Sequence, residues 1–249
     1  MLEPEVAMRR AWRALVDCAD PAGDFTVICT DIIDDLVKRY AEPHRHYHTA
    51  THVQWVIRHV DNLLAASEVD RVDKGAADVV DLDVVDRDVV DRDVVVAAAL
   101  FHDAIYITRP TAEPALPGAR LDMSSEAQSA RLAVEQLSRL GWSESRLAQL
   151  AALIEATQTH VATTWAAAVL LDADLAVLGA AHAIYQSYVA AVRAEYEFVD
   201  DVHWRGGRGA VLRAFLARAQ IFITPAMQRE REQQARINLA EELAQLEIA

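Results

Sequence analysis

The stretch that most constrains the fold is an apolar run that ends in two polar side chains. Residues 94–101 are apolar throughout, and His102 and Asp103 follow before the chain becomes apolar again at Ala104. Burying an imidazole beside a carboxylate is costly unless something pairs with both groups. A divalent metal ion would do so, and a hydrogen-bonded core pair is the alternative. Further potential metal ligands elsewhere in the chain would favour the metal ion over the hydrogen-bonded pair.

Apolar residues recur at helical spacing along most of the sequence, as at Val53, Val56, Ile57 and Val60. Prolines and glycines separate these patterns. We predict a proline-rich loop from Pro110 that ends where Ser124 or Ser125 caps the next helix, and a turn at Gly206 and Gly207 before a helix over 208–221. No stretch of any length alternates as a strand would. A hydrophobic content of 53% with only 8 Gly and 7 Pro also favours a compact helical core. We therefore predict an all-α fold with a single domain over residues 1–249.

Residues 70–93 interrupt this pattern with a five-residue repeat of valine and aspartate. The segment holds nine aspartates against four lysines and arginines. A period of five fits neither a helix nor a strand, and the glycines of calcium-binding repeats are missing. We predict a low-complexity acidic insertion that forms a solvated loop.

Charge and composition exclude several classes of partner. The net charge of −14 leaves no basic stripe for nucleic-acid polymers or anionic membranes, although a small phosphorylated substrate stays compatible. Cys18 and Cys29 form no CxxC motif and fit a reduced compartment. No apolar run approaches the ~20 residues of a membrane span, and no signal peptide is expected. We expect a soluble, cytoplasmic protein; a homodimer through an apolar helix face is one option.

The histidines supply partners for the polar pair. His48 and His52 are four residues apart, which on a helix places both imidazoles on one face. Taken alone, the two histidines fit ordinary solvated residues. Together with His102, Asp103 and a later aspartate in an apolar context, they favour a metal site. Three helices would then direct nitrogen and oxygen ligands to one point in the bundle core. Such ligands suit Mn, Fe, Ni, Zn or Mg.

In their order along the chain, His52, His102, Asp103 and Asp174 resemble the H…HD…D pattern of the HD-domain superfamily of metal-dependent phosphohydrolases. Several further segments are similar to recurring features of the bacterial group of predicted HD-superfamily hydrolases: 42–48, 101–106, 125–130, 171–175 and 208–225. Apart from the acidic insertion, the resemblance covers most of the chain from Pro43 onward. It implies an HD-type helical bundle with a central metal site.

The resemblance also assigns roles to these residues. Tyr47 to His52 is similar to the Y-H-N-x-x-H segment of cyclic-nucleotide phosphodiesterases, which share this fold, but Thr49 replaces the asparagine and argues against that activity. By this likeness, His52 binds metal and His48 is the general acid that protonates the leaving oxygen. Asp103 binds metal and bridges a second ion if one is present.

The fourth metal ligand is either Asp172 or Asp174. Because the two are two residues apart, they point away from each other on a helix, and only one can face the metal. The resemblance favours Asp174, which leaves Asp172 a supporting or capping role.

Other polar residues are candidates for catalysis or substrate binding. Glu126 can orient or deprotonate a water molecule, or it can simply favour a helix dipole. His160 can contact phosphate or a second metal, or it can stabilise a helix C-terminus. Arg208, after two glycines and near a predicted helix start, is the first choice for a phosphate clamp, followed by Arg45 and Arg193. A surface ion pair is the alternative for each arginine.

The sequence therefore predicts a metal-dependent phosphohydrolase that uses one or two divalent ions and metal-activated water. Its substrate would be a nucleotide or another small phosphorylated metabolite. One alternative is an HD-fold di-iron oxygenase, for which His48, Glu126 and His160 offer extra ligands. The other is a non-catalytic, metal-binding regulatory module.

Overall fold

The structure is a computed structural model that describes residues 3–16, 23–74, 90–108 and 123–248. Within these ranges the regular elements are ten α-helices and one 3₁₀ helix, without any strand, which confirms the predicted all-α class. In chain order they are α1 (Pro4–Leu15), α2 (Gly23–Tyr40), α3 (Ala50–Lys74), α4 (Arg92–Phe101), α5 (Ser125–Ser138), α6 (Glu144–Ala156), α7 (Trp165–Asp174), the 3₁₀ helix (Leu175–Gly179), α8 (His182–Glu195), α9 (Asp201–Leu216) and α10 (Pro225–Ile248).

Internal contacts divide the chain into two compact units, Met1–Leu171 and Asp172–Ala249, which we call the N-terminal and the C-terminal unit. Each has its own buried apolar side chains. Among the described residues, no single helix has the length and apolar composition of a membrane span, whereas Trp165–Gly179 and His182–Glu195 meet that test only when taken together.

Helix α4 forms the centre of the N-terminal unit. Its residues from Val94 to Phe101 are all buried, as expected of a helix that is apolar all round. It contacts α1, α3, α5 and α6. The Tyr40 hydroxyl at the end of α2 donates a 3.0 Å hydrogen bond to the carbonyl of Leu100. The C-terminal end of α4 is therefore fixed deep in this unit, and His102 and Asp103 directly follow it.

Side-chain caps determine where the helices around this centre begin. The Asp91 carboxylate accepts hydrogen bonds from the amides of Asp93 and Val94 at the start of α4. Arg146 of α6 donates to both oxygens of Asp91, at 2.8 and 3.2 Å. Ser124 accepts from the amide of Ala127 and caps α5, as one of the two serines predicted for that position.

In the C-terminal unit, α10 packs against the 3₁₀ helix and α9. The Asn238 amide nitrogen donates to the carbonyls of Leu178 and Ala180, at 2.8 and 2.9 Å. A Cβ atom added to Gly179 would lie 2.5 Å from the Cβ of Arg231, so the close approach of the 3₁₀ helix to α10 requires glycine there.

A buried polar cluster also joins the helices of this unit. The Arg208 guanidinium donates to both oxygens of Glu242, at 2.7 and 3.0 Å, and to the Tyr188 hydroxyl at 3.1 Å. The Tyr185 hydroxyl donates to the same Glu242 carboxylate. Because α8, α9 and α10 each contribute to these bonds, the cluster fixes how the three helices pack.

Two boundary predictions are wrong. Gly206 and Gly207, expected to form a turn, lie inside α9, and the helix expected to begin at Arg208 begins at Asp201. Packing against α10 outweighs the cost of ~1 kcal/mol for each glycine in a helix. The acidic loop is shorter than predicted because residues 70–74 and 92–93 are helical. Of its remainder, 75–91, residues 75–89 lie outside the described residues, as does the predicted proline-rich loop within 109–122.

Candidate metal centre

Three predicted ligands meet in the N-terminal unit. His52 comes from the first turn of α3, while His102 and Asp103 directly follow the last residue of α4. The two Nε2 atoms of His52 and His102 are 3.1 Å apart. The Asp103 Oδ2 atom lies 3.4 Å from Nε2 of His52 and 3.0 Å from Nε2 of His102. The Nε2 atom of each ring and one carboxylate oxygen therefore converge on a single position.

The spacing of these atoms matches that of ligands around one metal ion. With metal–ligand bonds of about 2.1 Å, neighbouring ligand atoms are roughly 3.0 Å apart in octahedral and roughly 3.4 Å apart in tetrahedral geometry. The three observed separations, 3.0, 3.1 and 3.4 Å, span this range. Two imidazoles and a carboxylate are also a common ligand set for Mn, Fe, Ni and Zn. These three residues can therefore hold a divalent metal ion.

The surroundings of His102 favour the ring form that binds metal. Its Nδ1 atom lies 3.0 Å from the carbonyl oxygen of Ala99. A carbonyl only accepts hydrogen bonds, so Nδ1 carries a proton, and in the neutral ring Nε2 is the nitrogen that presents a lone pair to the cluster. A backbone carbonyl on the far side of a ligating imidazole is the usual way of fixing its orientation.

Asp103 is the open side of the cluster. Its side chain is 17% exposed, against 1% for each of the two histidines. Burial by itself would raise the pKa of Asp103, but the charges of His102 and His48 and the hydrogen bonds from His102 and His52 hold that pKa well below its usual range. The carboxylate is thus ionised and ready to bind a cation.

The loop before α3 carries the next group of rings. His48 precedes the first residue of α3, so His48 and His52 do not lie on one helix. The ring centre of His48 nevertheless lies 5.6 Å from that of His52 and 4.2 Å from that of Tyr106. His48 is therefore beside the cluster, on a turn instead of on the helix, because the chain bends at residues 47–49 before α3 begins.

Arg45 connects this loop to the segment that carries the ligands. Its side chain is fully buried, and its donors go to the Glu42 carboxylate and to the carbonyls of His48, Asp103 and Ala104. All of these acceptors are protein groups. The observed hydrogen bonds of Arg45 therefore do not show the predicted role in binding phosphate.

Helix α5 binds the segment after Asp103 through two serine hydroxyls. Ser129 Oγ accepts from the amide of Ile105 at 3.0 Å, and Ser125 Oγ accepts from the amide of Ile107 at 3.1 Å. Sequence reasoning missed both serines, although their four-residue spacing puts them on one helix face. Glu126 lies half-buried in the same first turn and is not one of the three converging ligands.

The two aspartates considered for the fourth ligand position belong to the C-terminal unit. Both oxygens of Asp172 are used inside that unit, where they accept from the amides of Ile223 and Thr224 at 2.8 and 2.6 Å. Burial raises the pKa of Asp172 to about 6. Asp174 is the last residue of α7. The converging group contains His52, His102 and Asp103 only, within the described residues.

The remaining predicted substrate ligands have local structural partners. Arg208 lies in the middle of α9, not near a helix start, and its guanidinium is held by Glu242. Arg193 donates to the carbonyls of Tyr196 and Val199 just beyond α8. His160 follows α6 with a φ of 51°, in the left-handed region that ends many helices.

No protein-family model matches the chain, and no curated protein or solved structure is significantly similar to it. Fold and site together define an all-α protein with a His-His-Asp cluster that can hold a metal ion.

Proposed function

We propose that this protein is a metal-dependent phosphohydrolase that cleaves a phosphoester bond of a nucleotide or another small phosphorylated metabolite. The observation that carries this proposal is the convergence of His52 Nε2, His102 Nε2 and Asp103 Oδ2 within 3.4 Å of one another. The resemblance of these residues to the HD pattern supports the choice of phosphoester hydrolysis among the reactions of such centres.

His52, His102 and Asp103 would hold the ion. When bound, a divalent ion supplies an activated water molecule and stabilises charge on a phosphoryl oxygen. The hydrogen bond from His102 Nδ1 to the carbonyl of Ala99 leaves Nε2 as the nitrogen that can bind the ion. The exposed edge of Asp103 marks the side from which a substrate can approach.

We assign proton delivery to His48. Its ring adjoins His52 but is not among the converging ligands, which leaves it able to carry a proton beside the cluster. Histidine is the side chain that most often transfers protons in catalysis. Glu126, in the first turn of α5, is the candidate that orients the attacking water.

The size and charge of the substrate follow from the surface. A net charge of −14 disfavours long phosphate polymers, which basic surfaces bind best. The guanidinium groups of Arg45, Arg193 and Arg208 already donate to protein acceptors. The proposed substrate is therefore small, and its phosphate would be recognised mainly at the metal centre.

The test is a hydrolysis screen on metal-free protein to which Mn²⁺, Ni²⁺, Zn²⁺, Mg²⁺ or Fe²⁺ is added back. Aryl phosphates, phosphodiesters and nucleotides serve as substrates, and phosphate release is measured. We expect metal-dependent turnover in the wild type and in His182→Ala, an exposed control, and at least a hundredfold loss in His102→Ala. Metal-loaded wild type without any turnover would refute the hydrolase proposal, and oxygen consumption by an iron-loaded sample would favour the oxygenase alternative.

A further inference from the structure

Arg45 is placed to control the shape of the candidate metal centre. Its Nε atom donates to Glu42 at 2.9 Å. Its Nη1 atom donates to the carbonyls of His48 and Asp103, at 3.2 and 2.7 Å, and its Nη2 atom donates to the carbonyl of Ala104 at 3.2 Å. The side chain has no exposed surface. All three guanidinium nitrogens are therefore engaged inside the protein.

The three carbonyls belong to two separate segments of the chain. One segment carries His48 and leads into α3, whose first turn provides the ligand His52. The other follows α4 and carries the ligand Asp103 itself. Because a guanidinium is planar and its donors keep fixed directions, bonds from one such group to both segments fix their separation.

Two aromatic rings lie next to the guanidinium. Its carbon lies 5.2 Å from the ring centre of Tyr40 and 5.5 Å from that of Tyr106, within the range of cation–π attraction. Tyr40 in turn donates to the carbonyl of Leu100 near the end of α4. Arg45 therefore occupies a closed, well-defined position instead of extending toward a substrate.

We propose that Arg45 is a positioning residue of the metal centre and not a ligand of the substrate phosphate. This inference rests on the metal site of the proposed function. By setting the distance between the segments that present His52 and Asp103, Arg45 keeps their ligand atoms at the spacing that one ion requires.

The test is a titration of metal-free protein with Co²⁺, whose visible absorption reports coordination geometry. Arg45→Lys keeps the positive charge, but one ammonium group cannot reach carbonyls on both segments while also pairing with Glu42. We expect its Co²⁺ affinity to fall by about 10–100-fold, as for other residues that support metal ligands, with a changed spectrum. The matched control is Arg39→Lys, which alters an arginine that pairs with Asp35 within α2; it should bind Co²⁺ as the wild type does.

Circular dichroism shows whether Arg45→Lys folds. If it does not fold, Glu42→Gln provides a second test. This second variant leaves Arg45 in place but removes its charged anchor, so we expect weaker Co²⁺ binding in the same direction. Wild-type affinity and spectrum in folded Arg45→Lys, or in Glu42→Gln if Arg45→Lys does not fold, would overturn the proposal. So would unchanged Co²⁺ affinity together with weakened binding of inorganic phosphate.

The two proposals fail in different ways. A wild type that binds no Co²⁺ overturns the metal centre and, with it, the role of Arg45. A wild type that binds Co²⁺ but hydrolyses no phosphoester overturns only the hydrolase assignment, since the affinities of Arg45→Lys and Arg39→Lys still decide what Arg45 does.

Discussion

Removing Glu242 should destabilise the C-terminal unit far more than removing an exposed acid from the same helix. The Glu242 side chain is 3% exposed and accepts two bonds from Arg208 and one from Tyr185. Glu242→Leu keeps similar volume but leaves a guanidinium that is only 10% exposed without its counter-ion. Loss of one partner of a buried ion pair costs about 3–5 kcal/mol.

A double-mutant cycle separates the pair from its surroundings. Changing Arg208 to Met together with Glu242→Leu removes both charges, and the remaining cost is that of the Tyr185 and Tyr188 hydroxyls, about 1–3 kcal/mol. We therefore expect a coupling energy of at least about 2 kcal/mol between the two positions. Urea unfolding followed by circular dichroism provides the four free energies of unfolding.

The chain offers a matched control on the same two helices. Arg213 and Glu247 pair at 2.7 Å, but each side chain is 56% exposed. Solvent screening limits the coupling energy of such a pair to about 0–1 kcal/mol. Equal coupling energies for the buried and the exposed pair, or a cost below about 1 kcal/mol for Glu242→Leu, would refute the reasoning from burial.

Two further predictions concern the packing and the pH dependence of the C-terminal unit. Gly179→Ala should lower the free energy of unfolding by about 1–3 kcal/mol, because its methyl group would meet the backbone and Cβ of Arg231. Urea unfolding measures this change, and an unchanged midpoint would contradict the prediction. The pKa of Asp172 is raised to about 6 in the folded state, so its contribution to stability is present below the unfolded value of 3.8 and is lost as pH rises through about 6. Between pH 4 and 7, Asp172→Asn should therefore gain about 2 kcal/mol relative to the wild type, and a constant difference would contradict this.

Local sequence patterns predicted much of the fold because the physical causes are local. The apolar run before His102 required a helix buried on all sides, and α4 is such a helix. Ser124 caps α5 with its own side chain, which also depends on near neighbours. The glycines of α9 were misjudged because packing between distant helices outweighs local propensity.

The candidate site was predictable only in part. The types and spacing of His52, His102 and Asp103 indicated metal ligands, and the structure brings these three together. The acceptors of Arg45 were not predictable, since two of them are backbone carbonyls 58 and 59 residues away. Backbone carbonyls occur at every position, so no residue type marks the ones that a buried arginine will bind.

The central claim is that His52, His102 and Asp103 hold a divalent metal ion. Its most direct test is elemental mass spectrometry of the purified wild type, His102→Ala and the exposed control His182→Ala. We predict near-stoichiometric Mn, Fe, Ni or Zn in the wild type and the control, and loss of that metal in His102→Ala. A metal-free wild type that also fails to bind added Mn²⁺, Fe²⁺, Ni²⁺, Zn²⁺ or Mg²⁺ would contradict the claim.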